Sequence, residues 1–223
     1  GDSASSPLAT MGAAMKAVKN GGVIVVCGNV NMGTDYTLPA ADAAVTITSK
    51  YGGQNFSTAV LSFGGNLYLS SELVFENIRL TGSSTPIISC CANSVTFGEG
   101  ITTSGILLLG GRNILTDTEA SLASFDKDYT ITVKSGSWSY IRGGNRRASG
   151  SSPVGTISGN VTVVIEGGTF NSTNASNTMS AGGMSSHTGN VTMIINGGTV
   201  SGDIYGAGRI GSNSTKTKQV YSG

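Results

Sequence analysis

The densest group of side chains able to bind a charged ligand lies in YIRGGNRRAS, residues 140–149. Together with a nearby tryptophan, this segment combines guanidinium groups with aromatic rings: Trp138, Tyr140, Arg142, Arg146 and Arg147. Guanidinium groups bind anionic oxygens through paired hydrogen bonds, and aromatic rings attract cations through their faces. The segment is therefore a candidate site for an anionic or sugar ligand. The competing interpretation, which the sequence favours, is a solvated turn whose arginines keep the surface soluble.

A second segment near the carboxyl end, YGAGRIG at residues 205–211, carries the same residue types. When the sequence repeats are aligned, Arg209 occupies nearly the same position as the arginines of the first segment. Tyr205 likewise corresponds to Tyr140 near the same turn. We expect no metal and no other cofactor at this site. Because these are turn residues, replacing Arg146 and Arg147 is expected to leave the unfolding temperature almost unchanged. The predicted ligand-binding residues are Tyr140, Arg142, Arg146, Arg147, Tyr205 and Arg209.

The 12 carboxylates are scattered, and the densest set lies in TDTEASLASFDKD, residues 116–128. Glycoside hydrolysis needs two carboxylates roughly 5 to 10 Å apart. Asp126 and Asp128 would share one face of an extended segment, but a solvated loop is the stronger interpretation. The segment also lacks the ligand spacing of an EF-hand calcium loop.

The single histidine, His187, lies in the polar stretch MSSHTGN, residues 184–190. Ser185 and Ser186 beside it do not make a catalytic triad, because a triad needs an orienting acid and residues from separate parts of the chain. We therefore expect a surface histidine in a turn.

The three cysteines, Cys27, Cys90 and Cys91, do not form a disulfide framework. No histidine or second cysteine pair lies at the spacing of a metal site. In a strand, the adjacent side chains of Cys90 and Cys91 point to opposite faces. These residues are predicted to be buried free thiols.

The overall composition excludes several classes of protein. Charged residues make up 11% of the chain and the formal net charge is +1, so neither nucleic-acid binding nor an acidic disordered tail is indicated. No apolar run reaches the roughly 20 residues of a membrane span. There is no signal peptide, but the opening GDSASSP indicates a trimmed start, so we expect a longer secreted protein.

One line of sequence occurs three times, at residues 128–138, 160–170 and 190–200. A glycine pair or near-pair follows each copy, in IRGGN, SAGGM and IYGAG. Strand-and-turn repeats of this length predict a stacked solenoid in which aligned residues pair between neighbouring repeats. The aligned sets are Asp128, Asn160 and Asn190; Thr130, Thr162 and Thr192; Val133, Ile165 and Ile195; Gly136, Gly168 and Gly198; and Trp138, Phe170 and Val200.

The remaining elements are one helix and many short strands. Leu8, Met11, Met15 and Val18 lie on one helical face, which predicts a helix over residues 7–19 with Ser6 as its N-cap. No second helix is predicted. In LVFENIRL, residues 73–80, the alternation slips at Glu76–Asn77 and predicts a bend. Strands are predicted at 22–28, 44–50, 59–63, 66–70, 73–80, 86–90, 94–98 and 105–110.

These segments carry a resemblance to a known group of proteins. The helix followed by GGVIVVCGNV and AVTITSKYGG resembles the N-terminal cap and first coils of right-handed parallel β-helix proteins of the pectate-lyase-like superfamily. LVFENIRL resembles a middle coil of that group. GNVTVVIEGGTF and GDIYGAG are similar to glycine-rich repeats of secreted or wall-attached bacterial surface proteins.

The resemblance implies an all-β fold: a right-handed, single-stranded parallel β-helix, or β-solenoid, with a short N-terminal capping helix. We expect one domain over residues 1–223, with the helix at 7–19 and the clearest repeats at 128–223. The last residues, VYSG, match the phrase that introduces earlier repeats, so we expect the array to continue beyond residue 223. An uncapped final coil would then either fray or associate end to end or edge to edge with another molecule.

Enzymes of the superfamily cut acidic polysaccharides with clustered carboxylates, in some branches near NTD, GHG and RIK motifs, and this sequence has none of those motifs. The function predicted first is therefore a non-catalytic structural or adhesive module of a secreted or cell-surface bacterial protein. Its partner would be a polysaccharide or another host or cell-wall component, without nucleic acid. The alternatives are a polysaccharide lyase or glycoside hydrolase of the β-helix group, and a sugar-binding module without catalysis.

Overall fold

Short runs of β-branched and aromatic residues, separated by glycine, asparagine and serine, form nearly all the regular structure. The computed structural model describes residues 3–19, 21–147, 155–171 and 179–208. In chain order the strands are β1 Val23–Val25, β2 Val30–Thr37, β3 Val45–Thr48, β4 Lys50–Tyr51, β5 Gln54–Asn55, β6 Val60–Tyr68, β7 Leu73–Glu76, β8 Arg79–Ser89, β9 Val95–Phe97, β10 Ile106–Leu109, β11 Asn113–Ile114, β12 Tyr129–Val133, β13 Ser137–Arg142, β14 Arg146–Arg147, β15 Thr156–Ile157, β16 Val161–Ile165, β17 Thr169–Asn171, β18 Met179–Ser180, β19 Ser186–His187, β20 Val191–Ile195, β21 Thr199–Ser201 and β22 Ile204–Tyr205.

Most strands belong to two large parallel sheets, and the chain passes alternately from one to the other. The seven-stranded sheet has the order β1-β3-β7-β9-β12-β16-β20. The nine-stranded sheet has the order β2-β6-β8-β10-β13-β17-β21, with β18 beside β13 and β22 beside β18. Each strand of the first sheet is followed by a strand of the second, and we call each such passage a layer. Three two-stranded sheets, β4-β5, β11-β14 and β15-β19, complete the structure of the described residues.

The predicted alignment of the three repeats is confirmed by the strand register. Thr130 pairs with Thr162 and Thr162 with Thr192, while Ile165 pairs with Ile195. On the other sheet, Phe170 pairs with Trp138 and with Val200. Neighbouring repeats are therefore neighbouring layers, and aligned side chains stack on one another.

Inward-facing side chains form one continuous core between the two sheets. Strand β16 shows the alternation, because Val161, Val163 and Ile165 are buried while the residues between them are half-buried. Aromatic rings stack between layers: the ring centroids of Phe75 and Phe97 are 5.4 Å apart, and those of Phe97 and Trp138 are 4.9 Å apart. The core thus stabilises the register that the repeats specify.

The N-terminal helix is shorter than predicted. Helix α1 spans Met11–Ala17, and Thr10 is its N-cap, with the Thr10 Oγ1 accepting from the Ala13 amide at 3.1 Å. The prediction of Ser6 as the cap is wrong, because the Ser6 amide instead donates to the Ser3 carbonyl in a preceding turn. Two buried methionines hold α1 against the core at the end of the stack: Met11 and Met15.

Several strand boundaries also differ from the prediction. The bend at Glu76–Asn77 is confirmed, since Asn77 adopts a left-handed φ of 46° between β7 and β8. The two strands predicted at 59–63 and 66–70 form the single strand β6, in which Gly64 and Gly65 make a register shift rather than a break. A 3₁₀ helix over Asp117–Ala123 was not predicted.

Close packing between layers explains the glycine pairs. A Cβ atom added at Gly143 would lie 1.8 Å from the Ala181 carbonyl oxygen, and one at Gly144 would lie 1.6 Å from the Gly182 oxygen. No other residue fits where backbones approach this closely. The pairs therefore mark a corner at which successive layers are in backbone contact.

The segment between β10 and β12 packs on the outer face of the nine-stranded sheet. The amide of Asn113 donates to Ser89 Oγ at 3.1 Å, and the Tyr68 hydroxyl donates to the Asn113 carbonyl at 3.4 Å. All four residues of β10 are buried, which means that both faces of the sheet are covered there. No helix within the described ranges is long and apolar enough to cross a bilayer.

Candidate functional site

The structure places two of the predicted ligand residues inside the protein. Arg142 is 6% exposed and Tyr140 is buried, with the Arg142 guanidinium carbon 5.0 Å from the centre of the Tyr140 ring. Arg142 lies in the nine-stranded sheet between Leu109 and Ser180, in the part of the sheet that is covered on both faces. The interpretation as a solvated turn whose arginines face solvent is therefore wrong for Arg142, and Tyr140 is buried beside it.

The other arginines of the turn lie nearer the surface. Strand β14 places Arg146 beside Asn113 and Arg147 beside Ile114, and both arginines are half-buried. Tyr205 lies on β22, is 39% exposed and pairs with Ser180, which in turn pairs with Arg142. Tyr205 is thus two layers from Arg142, at a strand spacing of roughly 4.8 Å per layer. Arg209 lies outside the described residues.

Arg146 ends a chain of hydrogen bonds that sequence reasoning missed. Its Nη1 donates to Asn113 Oδ1 at 3.0 Å, and Asn113 Nδ2 donates to Asn66 Oδ1 at 2.8 Å. Asn66 Nδ2 then donates to Asp35 Oδ1 at 2.6 Å. Both asparagines are buried, and all three bonds point from the guanidinium toward the carboxylate, so they reinforce one another. Isolated asparagines in otherwise apolar strands were the only signal of this chain in the sequence.

A second buried polar cluster surrounds Asn145. Its Oδ1 accepts from the Arg112 amide at 2.8 Å, and its Nδ2 donates to the Ala123 carbonyl at 2.7 Å. Its own amide donates to Ser185 Oγ at 2.8 Å. Asn145 therefore ties three separate segments together, which is a structural role.

His187 is buried, so the prediction of a surface histidine is wrong. Strand β19 pairs with β15 and places His187 opposite Ile157. The His187 Nε2 lies 3.0 Å from the Gly182 carbonyl oxygen, and because this oxygen only accepts, Nε2 carries the proton of the bond. Burial lowers the pKa of His187, because the cationic form loses its hydration.

The thiols are free, as predicted, but only Cys90 is fully buried, whereas Cys27 and Cys91 are partly exposed. Cys90 is buried, and burial raises its pKa well above the usual range. Cys91 is half-buried, and burial raises its pKa although Arg112 opposes the shift. The Arg112 guanidinium also lies 4.0 Å above the Tyr68 ring, and burial raises the pKa of Tyr68 to about 12. A thiol with a raised pKa is a poor nucleophile near neutral pH, so neither cysteine suits covalent catalysis.

The carboxylates of the acidic segment hold the backbone in place. Glu119 Oε2 accepts from the Leu115 amide at 2.8 Å. Asp128 Oδ1 accepts from the Asn160 amide at 2.7 Å, and the bonds from Asn160 lower the pKa of Asp128. Asn160 Oδ1 in turn accepts from the Asn190 amide at 3.0 Å, so the first aligned set of the repeats is a surface ladder. Within the described part of the chain, no group of three or more His, Cys, Asp or Glu residues is placed to hold a metal ion.

No family model matches the chain, and no curated protein and no solved structure shows significant similarity to it.

Proposed function

We propose that the chain is a right-handed parallel β-helix that serves as a non-catalytic structural and adhesive module of a secreted or surface-attached bacterial protein. The observation that carries this proposal is the register of the two large parallel sheets, in which aligned residues pair through successive layers. A stack of this kind is a rigid support for an extended binding face. The resemblance to pectate-lyase-like proteins and to bacterial surface repeats supports the same proposal.

The proposed adhesive surface includes Arg146, Arg147 and Tyr205, the more accessible of the described residues predicted to bind a ligand. Arg142 and Tyr140 are buried and are not part of this surface. The partner would be an anionic glycan or another component of a cell wall or host surface. Attraction of this kind weakens as salt screens the charges.

The test is binding of the chain to a panel of neutral and acidic polysaccharides at low and high salt. We expect binding to the acidic polysaccharides, and we expect salt to weaken it. Arg147→Gln should weaken this binding further. Lys134→Gln should not, because it removes a partly exposed charge elsewhere in the structure. Unchanged binding by the Arg147 variant would remove the arginine turn from the adhesive surface.

The same samples test the enzymatic alternative. A lyase of the β-helix group releases unsaturated uronides from an acidic polysaccharide, and these absorb ultraviolet light. We expect no release, because Glu119 and Asp128 are engaged in backbone hydrogen bonds. Release by the wild-type chain would replace the adhesive proposal with an enzymatic one.

Self-association is a second proposed property, and one observation favours it. Several large apolar side chains of the last described layer are 39–46% exposed: Ile194, Ile195, Ile204 and Tyr205. A cluster of exposed apolar residues on neighbouring strands is typical of an interaction surface. A second copy of the chain is the proposed partner for this surface.

A further inference from the structure

A polar cleft of about 420 Å³ lies between the β4-β5 hairpin and the corner at which the chain passes from the seven-stranded to the nine-stranded sheet. The hairpin is held beside this corner because the Phe56 amide donates to the Ser49 carbonyl at 2.8 Å and the Phe56 ring packs against the core. The cleft is distinct from the arginine turn. The side chains that give it its chemistry are Lys50, Asn55, Ser57, Asn77, Arg79 and Thr102.

The floor of the cleft is formed by successive layers, each at the corner where the chain passes from the seven-stranded to the nine-stranded sheet. The Ser49 amide donates to the Asn77 carbonyl at 3.2 Å, and the Asn77 amide donates to the Glu99 carbonyl at 2.8 Å. Asn77 has a φ of 46° and Gly100 a φ of 71°. A Cβ atom at Gly100 would lie 2.7 Å from Asn77 Oδ1. The absence of a side chain at Gly100 therefore makes room for the side-chain amide of Asn77.

The cleft carries two positive charges and no negative one. Lys50 and Arg79 are exposed, and among the described residues neither side chain forms an ion pair or a hydrogen bond. Glu76 and Glu99 adjoin the corner in sequence, but neither lines the cleft. Two cations that line one cleft without a carboxylate are both available to stabilise an anion that enters it.

The hydrogen-bonding capacity of the lining is also unused. The side chains of Asn55, Ser57, Asn77 and Thr102 have no hydrogen-bond partner in the described part of the structure. Amide and hydroxyl groups donate to oxyanions, as do guanidinium and ammonium groups. The lining of the cleft thus contains further donors besides its two cations.

We propose that this cleft binds a doubly charged oxyanion, a phosphate or sulfate group, either free or as the ester of a small polar molecule. A neutral sugar would leave both cations uncompensated, and a single carboxylate would compensate only one. A guanidinium group and an ammonium group both bind tetrahedral oxyanions well. The volume of about 420 Å³ lies within the usual range for ligand sites and exceeds what a bare anion fills, so it accommodates an esterified sugar.

The experiment is calorimetric titration of the full chain, at constant ionic strength, with inorganic phosphate, inorganic sulfate, glucose 6-phosphate and glucose. We expect the anions to bind and glucose not to bind. Equal affinities for phosphate and glucose 6-phosphate would assign the site to the free anion, whereas tighter binding of the ester would assign it to an esterified sugar. Glucose binding as tightly as its phosphate would overturn the proposal.

Variants connect the binding to the cleft. Lys50→Ala and Arg79→Ala should each weaken binding about tenfold or more, because each removes a charge-assisted hydrogen bond. Asn77→Gly removes the amide, keeps the left-handed φ and should weaken binding to a smaller extent. The matched control is Lys16→Ala, which removes an exposed lysine of α1 and should leave the affinity unchanged.

Two results would overturn the inference. One is the absence of binding of every anion at about 10 mM, a concentration that fills a site of millimolar affinity. The other is a double variant, Lys50→Ala with Arg79→Ala, that unfolds at the wild-type temperature and binds with the wild-type affinity. Neither result bears on the adhesive role of the arginine turn, because that surface is tested with different variants.

Discussion

At the scale of single residues, the layer in which a side chain lies decides how much it contributes to stability. Ile165 and Ile195 occupy paired positions in adjacent layers, but Ile165 is 0% exposed and Ile195 is 42% exposed. Their sequence contexts are nearly the same, so they make a matched pair for measuring burial. Glu166 beside Ile165 forms only a half-exposed ion pair with Lys134, at 3.1 Å.

Replacing Ile165 by alanine should lower the free energy of unfolding by roughly 2–5 kcal/mol, because a buried side chain is truncated and leaves a cavity. Ile195→Ala should cost much less, and Glu166→Ala should change stability by less than about 1 kcal/mol. Denaturant unfolding of the three variants measures these differences. Equal losses for Ile165 and Ile195 would contradict the assigned burial.

Arg146 contributes more to stability than a turn arginine usually does. Arg146→Ala removes the donor to the buried oxygen of Asn113, and an unsatisfied buried acceptor costs about 1–3 kcal/mol. The structure therefore predicts a lower unfolding temperature for Arg146→Ala, whereas the sequence alone predicted almost no change. The measurement is thermal unfolding of Arg146→Ala, with Lys134→Ala as the control. Equal unfolding temperatures for the two variants would contradict this prediction.

His187 should make the stability depend on pH. Burial lowers its pKa in the folded state, so below the unfolded value of 6.5 the unfolded chain binds more protons than the folded one. Stability is therefore fully present above that value and is lost as the pH falls through the folded pKa. The pKa of Asp128 is lowered from 3.8, so Asp128 changes the stability only at a more acidic pH than His187 does.

The measurement is the unfolding temperature of wild type and His187→Gln between about pH 7.5 and pH 5. Glutamine can still donate to the Gly182 carbonyl but does not titrate. The wild type should lose stability toward the acidic end, and the variant should lose less. Identical pH profiles would mean that His187 is not the group responsible.

At the scale of elements, the glycine pairs set how closely layers approach. Gly144→Ala would place a Cβ atom 1.6 Å from the Gly182 carbonyl oxygen, so either the corner must open or the chain must fail to fold. Gly28→Ala is the control, because no atom lies within 4 Å of the added Cβ. We expect a large fall in unfolding temperature or in soluble yield for Gly144→Ala alone. Similar behaviour of the two variants would show that the corner is loosely packed.

At the scale of the whole molecule, the exposed apolar residues of the last described layer predict concentration-dependent association. Ile194→Ser with Ile204→Ser should shift the chain toward monomer, because each change removes apolar surface from the proposed contact. Leu122→Ser is the control, since Leu122 is even more exposed but lies on the 3₁₀ helix. Sedimentation velocity over a range of concentrations measures the effect. A wild-type chain that stays monomeric at every concentration would contradict the proposal.

The sequence by itself determined the stacked frame, because each layer of the two parallel sheets repeats one local requirement. Alternating β-branched residues must face inward, and turns must carry glycine or asparagine. The pairs Thr130–Thr162 and Phe170–Val200 could therefore be aligned by residue type alone. The bend at Asn77 was visible for the same reason, since it interrupts a period of two residues.

Only the tertiary structure decided which polar residues are buried. Arg142 and His187 lie in polar stretches and were expected at the surface, yet segments distant in sequence cover them. The cleft at Lys50 and Arg79 likewise arises because residues 29 positions apart meet at one corner of successive layers. The period of a repeat predicts contacts between equivalent positions, but insertions between repeats have no period. The packing of those insertions therefore had to come from the three-dimensional structure.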